Sequence, residues 1–233
     1  MIEAVVTDIE GTTSSLSFVK EVLFPYARER IAEFVRTHAG NPRVSALLDD
    51  VRSESGNSDL DIDGVSATLI AWIDADRKAT PLKAIQGMIW EQGFRDGHFE
   101  GQVYPDAAKV LRSWHDQGLR LYVYSSGSIH AQKLYFGHTA FGDLTTLFDG
   151  FFDTTTGAKQ DPASFRSIAR AIGSPPGHIL FLSDVVAELD AARNAGFLTV
   201  LLVRNGTPDP LIDHRQVSDF HAIADLRALA PDR

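Results

Sequence analysis

Cysteine is absent from the 233-residue sequence, and its absence removes several kinds of chemistry at once. The chain can have no disulfide, no thiolate metal ligand and no cysteine nucleophile. Lack of cysteine is compatible with a reducing compartment, where disulfides are rare. We therefore expect a cytoplasmic protein.

Long apolar segments and an excess of positive charge are missing as well. No run approaches the ~18 apolar residues of a membrane-spanning helix, and the opening Met1-Ile2-Glu3 has no basic leader pattern. Lys and Arg number 22 against 31 Asp and Glu, for a net charge of −9. This balance argues against nucleic acid or an anionic membrane as partner. We expect a monomer, since no long apolar stripe is evident, and a small-molecule partner.

Short apolar runs alternate with helical patterns over much of the chain. The runs are typical of buried strands and occupy positions 2–7, 119–124, 151–152, 178–182 and 198–203. Between them, Ala107, Val110, Leu111 and Trp114 repeat at helical spacing. This order predicts an α/β fold, a doubly wound parallel sheet whose ligands bind beyond the carboxyl ends of the strands.

The segment from about 14 to 104 breaks the alternation, because its patterns are helical throughout. The helices predicted there span 18–35 with a kink at Pro25, 42–51, 65–76 and 81–92. Asn41-Pro42 and Thr80-Pro81 each have the form of a capping residue followed by proline in the first turn. We therefore predict a helical cap over 15–104, inserted into an α/β core of 1–14 and 105–233.

Asp8 and Glu10 follow the first predicted strand directly, with Gly11 next. Two carboxylates at this spacing suit phosphoryl transfer, in which one attacks phosphorus and the other carries protons. An ordinary turn is the alternative, since Asp and Gly are common turn residues.

Polar residues follow the second and third predicted strands too. Ser125 and Ser126 offer hydroxyl and backbone donors for a phosphate, and Lys159 offers a cation that neutralises both a phosphate and Asp8. The alternatives are a helix cap or loop for the serines and a solvated lysine.

Asp184 ends the fourth long apolar run, and Glu188 lies one helical turn later. Carboxylates from two strands, Asp8 and Asp184, are suited to share one hard cation such as Mg²⁺. The alternative is that Asp184 caps the next helix while Glu188 favours its first turn through the helix dipole.

The order of these residues, each just past an apolar strand, resembles the haloacid dehalogenase-like superfamily of aspartyl-phosphate hydrolases. Glu-Gly-Thr at positions 10–12 is more specific and is similar to the enolase-phosphatases of that superfamily. The resemblance covers almost the whole chain. The matching motifs lie at 7–13, 23–26, 85–90, 124–128, 132–134, 136–138, 142–144, 152–154 and 181–184.

The resemblance implies one Mg²⁺ ion per subunit and a role for each matching residue. Asp8 would be the nucleophile and a metal ligand, Glu10 would contribute to the metal site and to proton transfer, and Asp184 would complete the protein ligands. The residues implied to hold the substrate phosphate are Ser125, Ser126 and Lys159.

The implied reaction is enolisation of a diketo alkyl phosphate followed by hydrolysis of its ester. A general phosphatase for small esters such as phosphoglycolate is the nearest alternative, and Glu10 disfavours it. A dehalogenase and a non-catalytic phospho-ligand binder are more distant alternatives. Arg204–Thr207 departs from the expected Arg-Pro-Gly-Asn, and the tail to Arg233 matches poorly, which affects rim contacts rather than the chemistry.

Overall fold

A computed structural model describes residues 1–226, so the poorly matching end of the tail, 227–233, lies outside the described residues. Within residues 1–226, six parallel strands form one sheet in the order β3-β2-β1-β4-β5-β6. The strands are β1 Ala4–Thr7, β2 Arg120–Tyr124, β3 Gly150–Phe152, β4 Ile179–Ser183, β5 Leu198–Leu202 and β6 Arg215–Val217. The predicted parallel sheet is confirmed, and β6 is an additional strand that the prediction missed.

The helices fill the connections between strands and the long segment after β1. They are α1 Leu16–Phe18, which leads into a π-helical turn Val19–Leu23, then α2 Phe24–His38, α3 Pro42–Ser55, α4 Ile62–Asp74, α5 Thr80–Arg95, α6 Pro105–Asp116, α7 Ile129–Gly137, α8 Pro162–Ile172 and α9 Val186–Asn194. Short 3₁₀ turns lie at Thr145–Leu147, Pro176–His178 and Phe220–Ile223. No helix among residues 1–226 is long and apolar enough to cross a membrane.

The sheet is buried on both faces, as the near-continuous apolar strands predict. On one face, Val6 and Phe181 belong to a core with Phe165 of α8 and Leu189 of α9. Side chains of the opposite face, such as Val5 at 1% exposure, are buried as well. Because β1 lies between β2 and β4, the loop after β1 lies beside the loops that follow both neighbours.

The chain divides into two compact units, of which one is Ser17–Phe99 and the other joins Met1–Leu16 to the chain from Glu100 onward. Ser17–Phe99 is helical and has its own apolar core, in which Ile31, Val51, Leu69 and Ile85 are fully buried. That core also contains Trp72 of α4.

Two local predictions in the helical segment need correction. Thr80 does not cap α5, because the N-cap position is Ala79 and Thr80 is already the first helical residue. The helix predicted over 18–35 is divided by a π-helical turn just before Pro25, where the Phe24 N–H bonds to the Val19 carbonyl. Proline has no N–H to donate, which explains why the irregularity precedes it. Asn41 does cap α3, since its side chain accepts the Arg43 N–H.

Candidate active site

The loop after β1 folds tightly and holds Asp8 in a buried position. The Ile9 carbonyl accepts the N–H groups of Thr12, Thr13 and Ser14 at 2.9 to 3.1 Å. Asp8 itself is 3% exposed, and its N–H donates to the Leu182 carbonyl of β4 at 2.9 Å. The loop is therefore bonded both to itself and to the neighbouring strand.

Gly11 lets Asp184 approach this loop. Its φ is +76°, a left-handed conformation that favours glycine, and a Cβ placed there would lie 2.0 Å from Asp184 Oδ2. The residues that follow β1 and β4 are thus in direct contact. Asp184 does not cap α9, because Val185 holds the N-cap position and its N–H bonds to Ser183 Oγ.

We predict that Gly11→Ala disrupts the site more than the left-handed backbone conformation alone would explain, because the added methyl group would displace Asp184. Gly142 is the matched control, since it has φ +81° and open space around its Cβ position. Gly142→Ala carries the left-handed penalty, about 1 kcal/mol, without displacing a carboxylate. We expect Gly11→Ala to lose the predicted phosphatase activity and the predicted thermal stabilisation by Mg²⁺, measured by melting curves, while Gly142→Ala keeps both. Equal behaviour of the two variants would contradict the role assigned to Gly11.

Lys159 lies between two buried carboxylates. Its Nζ is 2.6 Å from Asp8 Oδ1 and 2.7 Å from Glu188 Oε2, and its side chain is 9% exposed. Burial lowers the pKa of Lys159, but Asp8 and Glu188 outweigh burial and hold it above its ordinary value. Lys159 is therefore a fixed cation and not a solvated surface lysine.

The loop that carries Lys159 is fastened by side chains on both sides. Tyr124 Oη donates to the Gly157 carbonyl at 2.9 Å, and Ser164 Oγ donates to the Ala158 carbonyl at 2.8 Å. Asp161 caps α8 by accepting the Ala163 N–H. These bonds limit the movement of the backbone just before and after the lysine.

Glu188 has a contact that the sequence did not predict. It accepts hydrogen bonds from Lys159 and from Ser183 Oγ, the latter at 2.9 Å, instead of serving only the dipole of α9. The sequence signal for its position is its place in the first turn of α9, just after β4 and Asp184. Its partner, however, comes from a distant loop.

Glu10 lies beside Ser125, whose Oγ donates to Glu10 Oε2 at 3.3 Å. The pKa of Glu10 is raised, first because the carboxyl is buried and second because the charge of Asp8 is near. Glu10 therefore takes up a proton more readily than an exposed glutamate does.

The Ser125 loop is built by α7 and β3. Ser125 Oγ accepts the Gly127 N–H, while the amide of Gln132 donates to the carbonyls of Gly127 and Phe152 at 2.8 and 2.9 Å. Ser128 provides the helix cap, since it accepts the Ala131 N–H. Ser126 is exposed in this loop and joins none of the contacts described above.

The carboxylate oxygens of Asp8 and Asp184 are of the kind that binds a magnesium ion. Asp184 Oδ1 is buried and has no hydrogen-bond partner within residues 1–226, and Asp184 contacts the loop that carries Asp8. No group of three or more His, Asp or Glu side chains among residues 1–226 has the arrangement of a metal site. Mg²⁺ needs no such cage, because it is commonly held by one or two carboxylates together with water and substrate phosphate.

We predict that Asp184 makes the protein without metal sensitive to pH. Burial, then the charge of Asp8, raises the pKa of Asp184 to about 6. The folded protein thus holds this proton more tightly than the unfolded chain, so the stabilisation from this group is lost as pH rises through about 6. Asp184→Asn should flatten the fall in melting temperature as the pH rises to about 6, and it should abolish the rise that we expect Mg²⁺ to cause near neutral pH. A variant with the wild-type pH profile and metal response would contradict this assignment.

Comparison with known proteins agrees with this geometry. The model of the haloacid dehalogenase-like hydrolases matches residues 2–196. Enolase-phosphatase E1 of Methylococcus capsulatus is 59% identical over 96% of this chain and 98% of its own length, and that of Pseudomonas aeruginosa is 58% identical over 94% and 96%. The crystal structure of the UTR4 protein from Saccharomyces cerevisiae superposes with a TM-score of 0.81 at 31% identity, covering 94% of this chain and 99% of that one.

The parallel sheet, the carboxylate pair after β1 and the family match define a haloacid dehalogenase-like hydrolase. This confirms the fold class predicted from the sequence. Within that class the chain belongs to the enolase-phosphatase E1 family, and it is a hydrolase of the phosphatase kind.

Proposed function

We propose that the protein is a Mg²⁺-dependent enolase-phosphatase that uses Asp8 as the nucleophile. Its substrate would be 2,3-diketo-5-methylthiopentyl-1-phosphate, and its products would be the acireductone 1,2-dihydroxy-3-keto-5-methylthiopentene and phosphate, a step of methionine salvage. The names of the relatives support the combination of an enolase and a phosphatase activity. The observation that carries the proposal is the contrast between the surroundings of Asp8 and Glu10.

The two carboxyl groups are suited to different tasks. Asp8 is ion-paired with Lys159 at 2.6 Å, and a carboxylate held in this way is suited to attack phosphorus. Glu10 is half-buried, has a raised pKa and accepts a hydrogen bond from the Ser125 hydroxyl at 3.3 Å. Paired acids in different environments are the usual basis for dividing nucleophile and proton carrier.

Hydrolysis would follow in two balanced steps. Asp8 forms a bond to phosphorus as the ester P–O bond breaks, and Glu10 gives its proton to the departing oxygen. Water then attacks phosphorus, Glu10 takes a proton from it, and the Asp8–phosphorus bond breaks to regenerate both acids. Lys159 would balance the charge of the phosphoryl oxygens, and Ser125 and Ser126 would donate hydrogen bonds to them.

The enolisation would precede hydrolysis and also needs a proton carrier. Ionised Glu10 would take a proton from the carbon next to a carbonyl and keep it for the leaving oxygen of the later hydrolysis, while the carbonyl oxygen takes a proton from solvent and becomes the enol hydroxyl; after hydrolysis Glu10 returns a proton to solvent. Glu10 is the candidate base, because its raised pKa brings it closer to the working pH. Asp8, Asp184 and the Glu10 backbone carbonyl would hold Mg²⁺, which when bound polarises substrate oxygens.

A substrate comparison tests the proposal. We expect the kcat/KM for the diketo phosphate to exceed that for 2-phosphoglycolate by at least about 100-fold, which corresponds to roughly 2.7 kcal/mol of transition-state discrimination. Comparable values for the two substrates would indicate the general small-ester phosphatase instead. Glu10→Gln should lose the enolisation signal, and near wild-type turnover by that variant would reject Glu10 as the base.

The proposal also covers metal content, assembly and location. It specifies one Mg²⁺ ion per subunit, a monomer and a cytoplasmic enzyme that needs no nucleic acid or membrane partner. Light scattering coupled to size-exclusion chromatography should give the mass of a single chain, and titration with Mg²⁺ should saturate at one equivalent. A dimer mass would overturn the expectation of a monomer.

A further inference from the structure

Arg204 follows β5 and contacts the loop that carries Asp8 and Glu10. Its Nε and Nη2 both donate to the carbonyl oxygen of Thr12, at 2.9 and 2.7 Å. The Arg204 side chain is only 8% exposed, so this double hydrogen bond is largely shielded from water. A guanidinium is suited to such a contact because its donors are fixed in a planar fork.

The other side of the guanidinium is held equally firmly. Nη1 of Arg204 is 2.7 Å from Asp106 Oδ2, and that oxygen also accepts the Phe220 N–H at 2.8 Å. The ring of Tyr104 lies 4.2 Å from the guanidinium carbon, and the ring of Phe220 lies 5.3 Å from it. The ion pair with Asp106 and the two rings therefore fix the guanidinium on the side away from the Thr12 carbonyl.

The Thr12 carbonyl is a point at which the catalytic loop can be held from outside. Thr12 is fully buried, the Ile9 carbonyl accepts three N–H groups from within the loop, and the adjacent Thr13 carbonyl accepts the Tyr104 N–H at 2.9 Å. Gly11, the residue just before Thr12, is in close contact with Asp184. A small shift of the Thr12 peptide would therefore move Gly11, and the close approach of Asp184 to the loop that carries Asp8 depends on Gly11.

We propose that Arg204 is a positioning residue for the reaction. By holding the Thr12 carbonyl it sets where Asp8 and Glu10 lie relative to Asp184 and Lys159, and it acts through the backbone without touching substrate. This inference rests on the proposed function, because its readout is the release of phosphate from the diketo phosphate.

Arg204→Lys is the first test, since it keeps the charge beside Asp106 but cannot form the fork. We expect kcat to fall at least about tenfold, as for other small misplacements of reacting groups, while KM stays within about twofold. We expect KM to stay unchanged because the proposed phosphate contacts come from other loops, those of Ser125, Ser126 and Lys159. Arg193→Lys is the matched control: Arg193 also bonds a carbonyl and a carboxylate, both of Asp213, but it is 44% exposed. It should keep the wild-type kcat.

Chemical rescue separates positioning from a merely structural role. We expect Arg204→Ala to regain part of its kcat in millimolar guanidinium chloride, and not in the same concentration of urea or sodium chloride. An unchanged kcat per folded molecule in Arg204→Lys would overturn the inference, as would a loss that falls on KM or a failure of rescue. If the wild-type protein itself releases no phosphate from the diketo phosphate, the proposed function has failed instead.

Discussion

Asp8→Asn is expected to abolish phosphate release, with a loss in kcat of at least about 10⁴-fold. The amide of asparagine cannot attack phosphorus, and no other carboxylate has the position of Asp8. Lys159 keeps its second partner, Glu188, at 2.7 Å, so the variant should remain folded. Phosphate release and the melting temperature, measured on the same preparation, check both statements.

Asp116→Asn is the control for Asp8→Asn, because the Asp116 side chain is 79% exposed and lies in α6 of the same unit. It should retain the wild-type kcat and melting temperature. Phosphate release by Asp8→Asn at a rate near that of wild type would reject the nucleophile assignment. It would then favour a different nucleophile.

Lys159→Met is expected to have two large effects. It removes the cation that pairs with Asp8, and loss of one charged donor at such a site costs about 10²- to 10³-fold in kcat. It also leaves Asp8 and Glu188 buried without their partner, which should lower the free energy of unfolding by about 3–5 kcal/mol at neutral pH. Phosphate-release kinetics and urea unfolding measure the two effects separately.

Lys109→Met is the control for the loss of a lysine charge, since Lys109 is exposed on α6. The destabilisation of Lys159→Met should shrink at low pH, because protonated carboxyl groups no longer need the cation. A variant that is as stable and as active as Lys109→Met would show that the Asp8–Lys159–Glu188 contacts do not matter for either property.

The fold could be predicted because strand and helix patterns alternate from residue 105 onward. Parallel strands buried on both faces have near-continuous apolar runs, and β2, β4 and β5 are found within a residue of the expected bounds. Strand β6 was missed because Arg215–Val217 is short, lies at the sheet edge and carries one exposed charged residue. The start of α5 was misplaced because Thr80 resembles a cap, whereas the cap position depends on backbone geometry.

The position of the site could be predicted from topology, but its pairings could not. Strand order brings the ends of β1 and β4 together, and this accounts for the contact between Asp184 and Gly11. The partner of Glu188 depends on the path of the loop that carries Lys159, and the position of the Thr12 carbonyl depends on Arg204. Both contacts join residues that are far apart in the chain, and local patterns carry no information about them.

The site has more carboxylates than cations, and this imbalance affects both the stability of the fold and the reaction. Asp8, Glu10, Asp184 and Glu188 lie around one ammonium group, and the pKa values of Glu10, Asp184 and Glu188 are raised, first by burial and then by Asp8. Such an arrangement is costly without a further cation, and it is typical of functional sites. We therefore expect Mg²⁺ to stabilise the fold as well as to permit the reaction.

The central claim is that one site carries out enolisation and then hydrolysis. The most direct test mixes the purified protein with the diketo methylthiopentyl phosphate, with and without Mg²⁺, and records phosphate release and enediol ultraviolet absorbance in the same cuvette. We predict that both signals rise, and only with the metal. Phosphate release from simple esters, with no enediol absorbance from the diketo phosphate, would contradict the enolase half while leaving the fold and Asp8 in place.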